Sequence, residues 1–582
     1  MDNAQIASVF NNIGDLLELK GEVVFKTRAY KKAARAIEHH PTELSQIFRE
    51  EGEEGLSRVP SVGQAINKKV QELLSTGQLE YYEKLKGEFP EGVVELKDVP
   101  GVGPKTALKI SRDLGVTDLE GLEAALKDGV VAGLPGLGEK AAANILRHLQ
   151  KLRTKDRRIS LGRALSVYED VASALRGAPG LNRLEAAGSL RRGRETIGDI
   201  DLMGTADDPE PVLRALTELP QVAEALAHGP KKVSVLLQRG IQVDLRIVEE
   251  RVYGSLIQYF TGSQQHNVLL RERARREGLS INEYGITNLE TGEVEVFADE
   301  ESLYERLELQ YIPPELREGQ HEIERAAAGT IPGLIDREDI RGDLHAHTNE
   351  SDGRDTLMEM ALAARDAGLE YLAITDHSSG RGIANGLSNE RLREHISNIR
   401  ALNESLDGID LLTGSEVDIR SDGSLDYPDE LLEQLDVVVA SVHSAMGQPE
   451  EVMTERIIKA MHNPNVHILG HPTCRLIGER EPVQMDVEAI LQAARETGTA
   501  LEIDAQPGRL DLKDKHIHRA RELGVKLVID SDSHATEQFG NLGLGVSMAR
   551  RGWCEAKDIL NTLPVREFRA ALKSGAAIAR GG

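Results

Sequence analysis

Two groups of residues in this 582-residue chain have types and spacings that suit metal-dependent phosphate chemistry. The first group includes Asp199 and Asp201, which alternate with apolar residues and are predicted to lie on a strand. Because side chains two residues apart share one face of a strand, both carboxylates would point the same way. Asp244 ends another apolar run, and we expect it on the neighbouring strand. The sequence therefore predicts three converging carboxylates.

Three such carboxylates could hold two Mg²⁺ or Mn²⁺ ions about 3.5–4 Å apart, which can activate an attacking hydroxyl and neutralise charge on a transferring phosphoryl group. Just upstream, Gly188 and Ser189 offer backbone N–H groups and a hydroxyl, and Arg192 offers a forked cation. These groups suit a triphosphate. Acidic strand ends that are merely solvated are the alternative, and the combined pattern disfavours it.

The combination resembles the active-site motif of the family X DNA polymerases, the group of DNA polymerase beta, and the likeness continues over residues 259–286. It implies an aromatic pair under the sugar of the incoming nucleotide and a glycine that lets the backbone approach this sugar. It also implies an amide and a guanidinium at the nascent base pair and the template. These residues are, in that order, Tyr259 and Phe260, Gly262, Asn267 and Arg271. An aromatic pair in a core before an arginine-rich helix is the alternative.

The second group lies in the last 240 or so positions, where apolar strand-like runs recur and nearly every run ends in a potential metal ligand. Helical patterns separate the runs, and this alternation predicts a β/α barrel with its reactive groups at the carboxyl ends of the strands. Histidine with carboxylates suits Zn²⁺, Mn²⁺ or Fe²⁺, and His345 and His347 would share one strand face. A hydrogen-bonded histidine explains one such strand end but not six in succession.

This pattern resembles the polymerase-and-histidinol-phosphatase (PHP) family over residues 340–582. The resemblance implies nine ligands for up to three ions, either Zn²⁺ or Mn²⁺. They are His345, His347, Asp352, His377, Glu416, His443, His471, Asp532 and His534. His471 stands where some relatives have cysteine, and Asp504 stands where asparagine is common. Since all nine positions carry competent ligands, the resemblance implies an active phosphoesterase that trims 3′ ends.

Three copies of one turn template occur in the first 150 residues, each a Pro-Gly-x-Gly or Pro-Ser-x-Gly turn before an amphipathic helical pattern. Such a turn leaves backbone N–H groups free at the start of the next helix, where a DNA phosphate can bind without any base being read. The template looks like the helix-hairpin-helix motif, although an ordinary glycine turn would explain a single copy. The glycines expected to contact DNA are Gly63, Gly101, Gly103, Gly136 and Gly138.

The residues around the first hairpin resemble the amino-terminal lyase domain of polymerase beta at Lys26, Tyr30 and Lys69. In relatives that remove a sugar-phosphate remnant, the residue matching Lys69 is the amine that forms a Schiff base. Phe25, however, stands where those relatives place a histidine that helps to bind a 5′-phosphate. We therefore expect Lys69 to contact DNA as a phosphate clamp, or to lie on a solvated helix face, without lyase activity.

Charge and composition limit the remaining possibilities. The net charge of −26 argues against a generally basic nucleic-acid binder, and residues 1–160 are balanced, with 24 Lys+Arg and 24 Asp+Glu. DNA binding must then depend on local geometry. With two cysteines and no apolar run near the ~20 residues of a membrane span, we expect no disulfides, no membrane contact and a cytoplasmic, nucleoid-associated monomer.

The predicted fold class is multidomain: a helical helix-hairpin-helix N-terminal region, an α+β nucleotidyltransferase palm and a C-terminal distorted β/α barrel of the PHP type. The expected boundaries are 1–88 for a lyase-like domain, 89–150 for further hairpins, 151–258 for the palm, 259–318 for a nascent-base-pair subdomain, 319–339 for a linker and 340–582 for the barrel.

The predicted function is a DNA-directed DNA polymerase that fills short gaps in DNA repair, using deoxynucleoside triphosphates on gapped or nicked DNA, with a 3′–5′ exonuclease in the barrel. One alternative is a barrel that acts mainly as a 3′-phosphatase or abasic-site endonuclease, with the polymerase part for docking. The other is a non-enzymatic DNA-binding scaffold, which two intact constellations of metal ligands disfavour.

Overall fold

The structure is a computed structural model, and its described residues fall into two compact units, Met1–Arg157 and Arg158–Gly582. The predicted boundary, after residue 150, lies seven residues earlier. The described residues are 3–20, 22, 24–38, 44–59, 62–89, 96, 99, 102–134, 137–139, 141–143, 145–146, 158–238, 240–380 and 384–572. In this part of the chain, no helix is both long and apolar enough to cross a membrane.

The first unit is helical and has two separate apolar cores. Its helices are α1 (Asn3–Lys20), α2 (Val24–Glu38), α3 (Leu44–Ser57), α4 (Gln64–Thr76), α5 (Glu80–Lys86), α6 (Pro104–Leu114) and α7 (Leu119–Lys127). Apolar residues recur on α1 at helical spacing, and Ile6, Phe10, Ile13 and Leu17 are all buried. The expectation of a helical amino-terminal region is confirmed.

The second unit begins with a five-stranded sheet of order β2-β4-β7-β6-β5. The small pair β1 (Ile159–Ser160) and β3 (Thr196–Ile197) lies beside it. The five strands are β2 (Leu181–Ala186), β4 (Asp199–Ala206), β5 (Val222–His228), β6 (Lys232–Leu237) and β7 (Gln242–Val248). Strands β4 and β7 pair in parallel, and the other pairs are antiparallel. Helices α8 (Leu161–Leu175) and α10 (Pro209–Thr217) pack on this sheet, while the short α9 (Gly188–Arg191) connects β2 to β3.

A smaller mixed subdomain follows. It contains α11 (Tyr253–Thr261), α12 (Gln264–Arg276), α13 (Glu300–Arg306), α14 (Glu322–Ala327) and a sheet of β8 (Leu279–Asn282), β9 (Gly285–Asn288) and β10 (Val294–Glu295). Helix α14 lies within residues 319–339, the predicted linker. Its Glu322 is fully buried and lies 2.7 Å from His266 Nδ1, so this part of the segment packs onto the subdomain. A buried carboxylate requires such a partner.

The carboxyl-terminal part is a seven-stranded parallel sheet in sequential order, β11 to β17. The strands are β11 (Gly342–Asp343), β12 (Tyr371–Ile374), β13 (Asp410–Asp418), β14 (Val437–Ser441), β15 (Ile468–Leu469), β16 (Ala500–Asp504) and β17 (Leu527–Asp530). A parallel bridge between Ala346 and Ser533 joins the segments after the first and last strands, so the barrel nearly closes. The predicted β/α barrel is confirmed.

Helices connect the strands of this barrel and cover it. They are α15 (Leu357–Asp366), α16 (Asn389–Asn403), α17 (Asp429–Leu432), α18 (Glu450–Met461), α19 (Val487–Thr497) and α20 (Asp514–Leu523), followed by α21 (Leu542–Arg551) and α22 (Val565–Ala571). One apolar cluster extends from palm residues such as Leu161 to barrel residues such as Leu544. A Cβ added to Gly162 would lie 2.9 Å from Pro507 Cβ. The palm and the barrel are therefore packed directly against each other.

Candidate active sites

The three predicted aspartates lie on adjacent parallel strands. Asp201 on β4 is in register with Asp244 on β7, and Asp199 is two residues before Asp201 on the same face. Ile200 and Leu202, which alternate with these aspartates on β4, are fully buried in the palm core. The side chains of Asp199 and Asp201 therefore lie on the other face of the strand. The structure thus brings together the carboxylates that strand alternation predicted.

The electrostatics of this group favour bound cations. Burial raises the pKa of Asp201 to about 7, with further contributions from Asp199 and Asp244. Lys232 Nζ lies 3.3 Å from Asp244 Oδ2 and offsets part of the negative charge. The neighbouring negative charges disfavour ionisation of Asp201. Bound divalent cations, which prefer oxygen ligands, would stabilise the charged form of the three aspartates. The donor set fits such ions.

The turn that precedes β4 touches this group directly. Gly188 has φ +60°, and a Cβ at this position would overlap Asp201 Oδ2. The N–H of Ala187 donates to the carbonyl oxygen of Asp201 at 2.8 Å. Ser189 follows in the same short helix, α9. Glycine is therefore required at position 188 both by the backbone conformation and by the close approach of the carboxylate.

Arg192 lies at the end of this turn, and its guanidinium faces two groups of the following subdomain. Nη1 donates to the carbonyl oxygen of Thr261, and Nε lies 3.2 Å from Glu318 Oε1. Gly262 has φ +69°, and a Cβ there would lie 3.2 Å from Arg192 Nη1. The predicted triphosphate-binding cation is thus packed against the end of α11.

The predicted sugar- and template-contacting residues form one network. The rings of Tyr259 and Phe260 meet edge to face, with centroids 5.2 Å apart. The Asn267 amide donates to the carbonyl oxygen of Tyr259 at 2.8 Å, and Arg271 Nε donates to the carbonyl oxygen of Asn267 at 3.0 Å. In this structure, Asn267 bonds the backbone of the aromatic pair, and Arg271 bonds the backbone of its own helix one turn earlier.

Eight of the nine predicted ligands of the barrel form groups that could hold a metal ion, near the carboxyl ends of its strands. Their ligand atoms form three overlapping groups, each within 4.8 Å: His345, His347 and Asp532; His347, Asp352, His377 and His534; and His377, Glu416 and His443. His471 Nε2 lies 2.9 Å from Glu416 Oε1 and completes the set. Two histidines are shared between groups, so the site could hold adjacent ions.

Buried imidazole nitrogens without hydrogen-bond partners indicate what this site binds. They include Nε2 of His345, Nδ1 of His347 and Nδ1 of His471, whereas Nδ1 of His377 and Nε2 of His347 lie 2.7 Å from Glu416 Oε2 and 3.2 Å from Asp532 Oδ1. A buried polar atom without a partner is costly, and a metal ion could take up one imidazole lone pair from a histidine at this site. Histidine nitrogens together with carboxylate oxygens fit a metal-dependent centre.

Two carboxylates that are not among the predicted ligands contact two of these imidazoles. Glu502 Oε1 lies 2.6 Å from His345 Nδ1, and Asp418 Oδ1 lies 2.6 Å from His443 Nδ1. Such partners hold the ring so that its other nitrogen faces the metal. Strand alternation could have identified both, since Asp418 is two residues after Glu416 on β13 and Glu502 is two residues before Asp504 on β16.

Asp504, the residue that stands where asparagine is common, has a cationic partner. Burial raises its pKa well above the usual range, with further contributions from Asp532 and Glu502. Arg509 Nε lies 3.3 Å from Asp504 Oδ2 and 3.8 Å from Asp532 Oδ2. The guanidinium therefore supplies positive charge that would stabilise an aspartate at this position.

Two of the hairpin glycines precede helices directly. Gly63 and Gly103 are the N-caps of α4 and α6, with φ −73° and −74° and no capping side chain. A Cβ added to Gly63, Gly103 or Gly138 would meet nothing within 4 Å. The backbone conformation of Gly63 and Gly103 does not require glycine, and no packing contact at the three positions requires it. The space beside the three glycines is therefore open to a ligand. Gly101 and Gly136 lie outside the described residues.

The lysine of the lyase-like region lies beside aromatic rings. Lys69 Nζ is 4.8 Å from the centroid of the Tyr81 ring, which stacks on Tyr30 with centroids 6.3 Å apart. Lys26 Nζ lies 3.2 Å from Glu22 Oε1, and Phe25 is 84% exposed. The predicted lysines and tyrosine thus surround a common region, and the phenylalanine projects into solvent.

Comparison with known proteins yields four family matches. The Helix-hairpin-helix domain matches residues 1–79, the SAM-like Helix-hairpin-helix tandem 93–151, the DNA polymerase beta thumb 256–318 and the PHP domain 343–506. The chain is 38% identical over 575 residues to the DNA polymerase/3'-5' exonuclease PolX of Bacillus subtilis, covering 98% of this chain and 100% of that protein.

Other relatives match the barrel part. A probable phosphatase of Thermoanaerobacter sp. (strain X514) is 31% identical over 232 residues, covering 38% of this chain and 89% of that protein. One from Shewanella sp. (strain ANA-3) is 30% identical over 233 residues, covering 38% and 88%. With its match to Bacillus subtilis PolX over nearly the whole chain, its polymerase beta thumb and its PHP domain, the chain belongs to the bacterial family X DNA polymerases that carry a C-terminal PHP domain.

Proposed function

We propose that this chain is a DNA-directed DNA polymerase that fills short gaps during DNA repair, with a metal-dependent 3′–5′ exonuclease centre in its PHP domain. The observation that carries the proposal is that one compact unit holds Asp201 and Asp244 in register on adjacent strands and, in the barrel, groups of histidines and carboxylates that could hold metal ions. The printed name of the Bacillus subtilis relative, a DNA polymerase/3'-5' exonuclease, supports both activities.

In the polymerase reaction, Asp199, Asp201 and Asp244 would hold the divalent ions, Mg²⁺ or Mn²⁺. The ions supply activation of the primer 3′-hydroxyl and neutralisation of charge on the triphosphate. The N–H groups and hydroxyl of the 188–191 turn, together with Arg192, would bind the phosphates of the deoxynucleoside triphosphate. Tyr259 and Phe260 would support its sugar.

In the exonuclease reaction, the nine barrel residues would hold up to three ions, Zn²⁺ or Mn²⁺. The ions supply a nucleophile from water and a clamp on the phosphate oxygens of the 3′-terminal phosphodiester. The carboxylates of Glu502 and Asp418 would keep the histidines His345 and His443 in the orientation that ligation requires.

Gapped or nicked DNA would be held through its phosphates by the hairpin turns. The open space beside Gly63, Gly103 and Gly138 lets a phosphate oxygen approach the backbone N–H groups, and no base needs to be read. Lys69 would add a cation near these contacts. We place the protein in the cytoplasm, associated with the nucleoid, as a monomer.

The purified chain tests this proposal directly. We expect it to add one nucleotide to a one-nucleotide gap in the presence of Mg²⁺ or Mn²⁺, and to shorten a 3′-recessed duplex when nucleotides are omitted. Chelation with EDTA should stop both reactions. Failure to extend the gapped primer with either metal would contradict the polymerase assignment, and an intact 3′ end would contradict the exonuclease assignment.

A second candidate for the barrel is phosphatase or abasic-site cleavage, with the polymerase part serving mainly to dock DNA. The observation that favours it is the match of the barrel to relatives named as probable phosphatases. Parallel digestion of duplexes with a 3′-hydroxyl, a 3′-phosphate or an abasic site separates the candidates. Release of inorganic phosphate or cleavage at the abasic site without removal of normal 3′ nucleotides would favour this alternative.

A further inference from the structure

The turn proposed to bind the triphosphate rests on helix α21 of the PHP domain. Gly193, with φ +61°, directly faces this helix, since a Cβ there would lie 3.4 Å from Ser547 Cβ and 3.8 Å from Arg551 Cδ. Arg551 Nη1 donates to the carbonyl oxygen of Arg192 at 2.8 Å. A residue more than 350 positions away in the chain therefore holds the backbone of the nucleotide-binding turn.

One carboxylate, that of Glu318, is shared by three arginines at this interface. Arg551 Nη1 lies 2.9 Å from Glu318 Oε1, and Arg192 Nε lies 3.2 Å from the same oxygen. Arg194 Nη1 lies 3.6 Å from Oε2. The other edge of the Arg551 guanidinium faces Asp514, with Nε 2.9 Å from Oδ2. Only 2% of the Arg551 side chain is exposed, so this guanidinium is fixed from both edges.

Glu318 occupies one donor of Arg192, the residue proposed to bind the triphosphate. Two donors of the Arg192 guanidinium, Nε and Nη1, are directed to Glu318 and to the carbonyl oxygen of Thr261. Burial alone would raise the pKa of Glu318, but Arg551 and Arg192 hold it below its usual value, so the carboxylate is charged at neutral pH. A triphosphate bound through the edge of the guanidinium that includes Nε would displace this carboxylate from Arg192.

We propose that Arg551 is a positioning residue for nucleotide binding, which retains Glu318 and the Arg192 carbonyl so that the Arg192 guanidinium can turn to the triphosphate. With Arg551 present, Glu318 keeps a close ionic partner when Arg192 leaves. Without it, departure of Arg192 would leave a largely buried carboxylate poorly compensated, which is costly. The PHP domain would then be a structural part of the polymerase site. This inference rests on the polymerase function proposed above.

The test is steady-state incorporation into a one-nucleotide gap by the full-length protein. Replacement Arg551→Gln should raise the KM for the nucleotide about five-fold or more, within the usual range of coupling between sites, and change kcat much less. The double variant Glu318→Gln with Arg551→Gln should return KM toward the wild-type value, because no charged carboxylate then holds Arg192. A purely structural role for Arg551 would not produce this rescue.

Arg550→Gln is the matched control, because Arg550 lies on the same helix but pairs with Glu315 and Asp336. Its nucleotide KM should stay at the wild-type value. Melting curves and 3′-end digestion monitor the folding of each variant. If Arg551→Gln does not fold, Arg551→Lys, which keeps the charge but loses the fork, should give a smaller rise in KM.

Either of two results would overturn the inference. One is an unchanged KM in the folded Arg551 variants, and the other is a double variant whose KM remains as high as that of Arg551→Gln. Failure of the polymerase proposal has a different signature, since the wild-type protein itself would then incorporate no nucleotide.

Discussion

At the scale of single residues, the contact of Gly188 with Asp201 links the turn proposed to bind phosphates to the carboxylates. We expect Gly188→Ala to displace either the turn or the carboxylate, because the new Cβ overlaps Asp201 Oδ2 at a left-handed φ. Displacement of the turn or of the Asp201 carboxylate should reduce gap filling on the order of 10²-fold. Gly240→Ala is the control, since its φ of +79° brings the same backbone strain with no atom within 4 Å. Gap-filling rates of the two variants decide the question.

The charge of the aspartate group can be changed with almost no change in shape. Asp201→Asn removes one negative charge from the proposed metal site, so gap filling should fall on the order of 10²-fold or more, while 3′-end trimming should persist. Single-turnover incorporation and digestion of a recessed duplex measure the two activities. A folded Asp201→Asn protein that polymerises at nearly the wild-type rate would exclude this role for the carboxylate.

The reciprocal change in the barrel is His345→Ala combined with His347→Ala. Removing two imidazoles should abolish trimming and leave gap filling largely intact, because the aspartate group uses none of these ligands. Bound metal contributes to folding free energy, so a melting curve must accompany the assay. Continued degradation of 3′ ends by this double variant would exclude the barrel as the exonuclease site.

The supporting carboxylate Glu502 offers a finer test of the barrel. Glu502→Gln keeps the shape but loses the charge that orients His345, and partners of this type typically change metal affinity about 10–100-fold. The metal concentration that half-saturates the exonuclease, together with metal content after dialysis, should show a loss of this size. Glu496→Gln, on the exposed surface of α19, should behave as wild type. Equal metal affinity in both variants would contradict the orienting role.

At the scale of elements, the helix-hairpin-helix turns should bind phosphates without reading bases. Gly103→Val places a side chain in open space before α6, so the fold should tolerate it while access to the helix N-terminus is lost. Affinity for gapped DNA should fall about equally on different sequences, with a weaker dependence on salt. Gly177→Val, also in open space but in the palm, is the control. A loss confined to particular base sequences would contradict phosphate recognition.

At the scale of the whole molecule, the polymerase and PHP parts share one core. The apolar cluster that joins Leu161 to Leu544 and the approach of Pro507 to Gly162 bury a surface that a chain ending at residue 339 would expose. We expect this truncated chain to melt at a lower temperature and to bind nucleotides more weakly, because α21 would be missing. An unchanged melting temperature would show that the interface contributes little to stability. The active sites are chemically separate, but their scaffold is common.

The sequence alone was sufficient for the features that depend on local spacing. The alternation of strands predicted which carboxylates share a face, and the recurrence of ligands after apolar runs predicted the barrel and the residues around its centre. The spacing of residues along the chain determines these features, because a strand turns alternate side chains to opposite faces. Tertiary structure decided the register of Asp201 with Asp244 and the pairing of Glu502 with His345. It also brought Arg192 and Arg551 together on the carboxylate of Glu318. These contacts join positions 43 to 359 residues apart, and no local pattern encodes them because only the packing of whole elements brings such residues together.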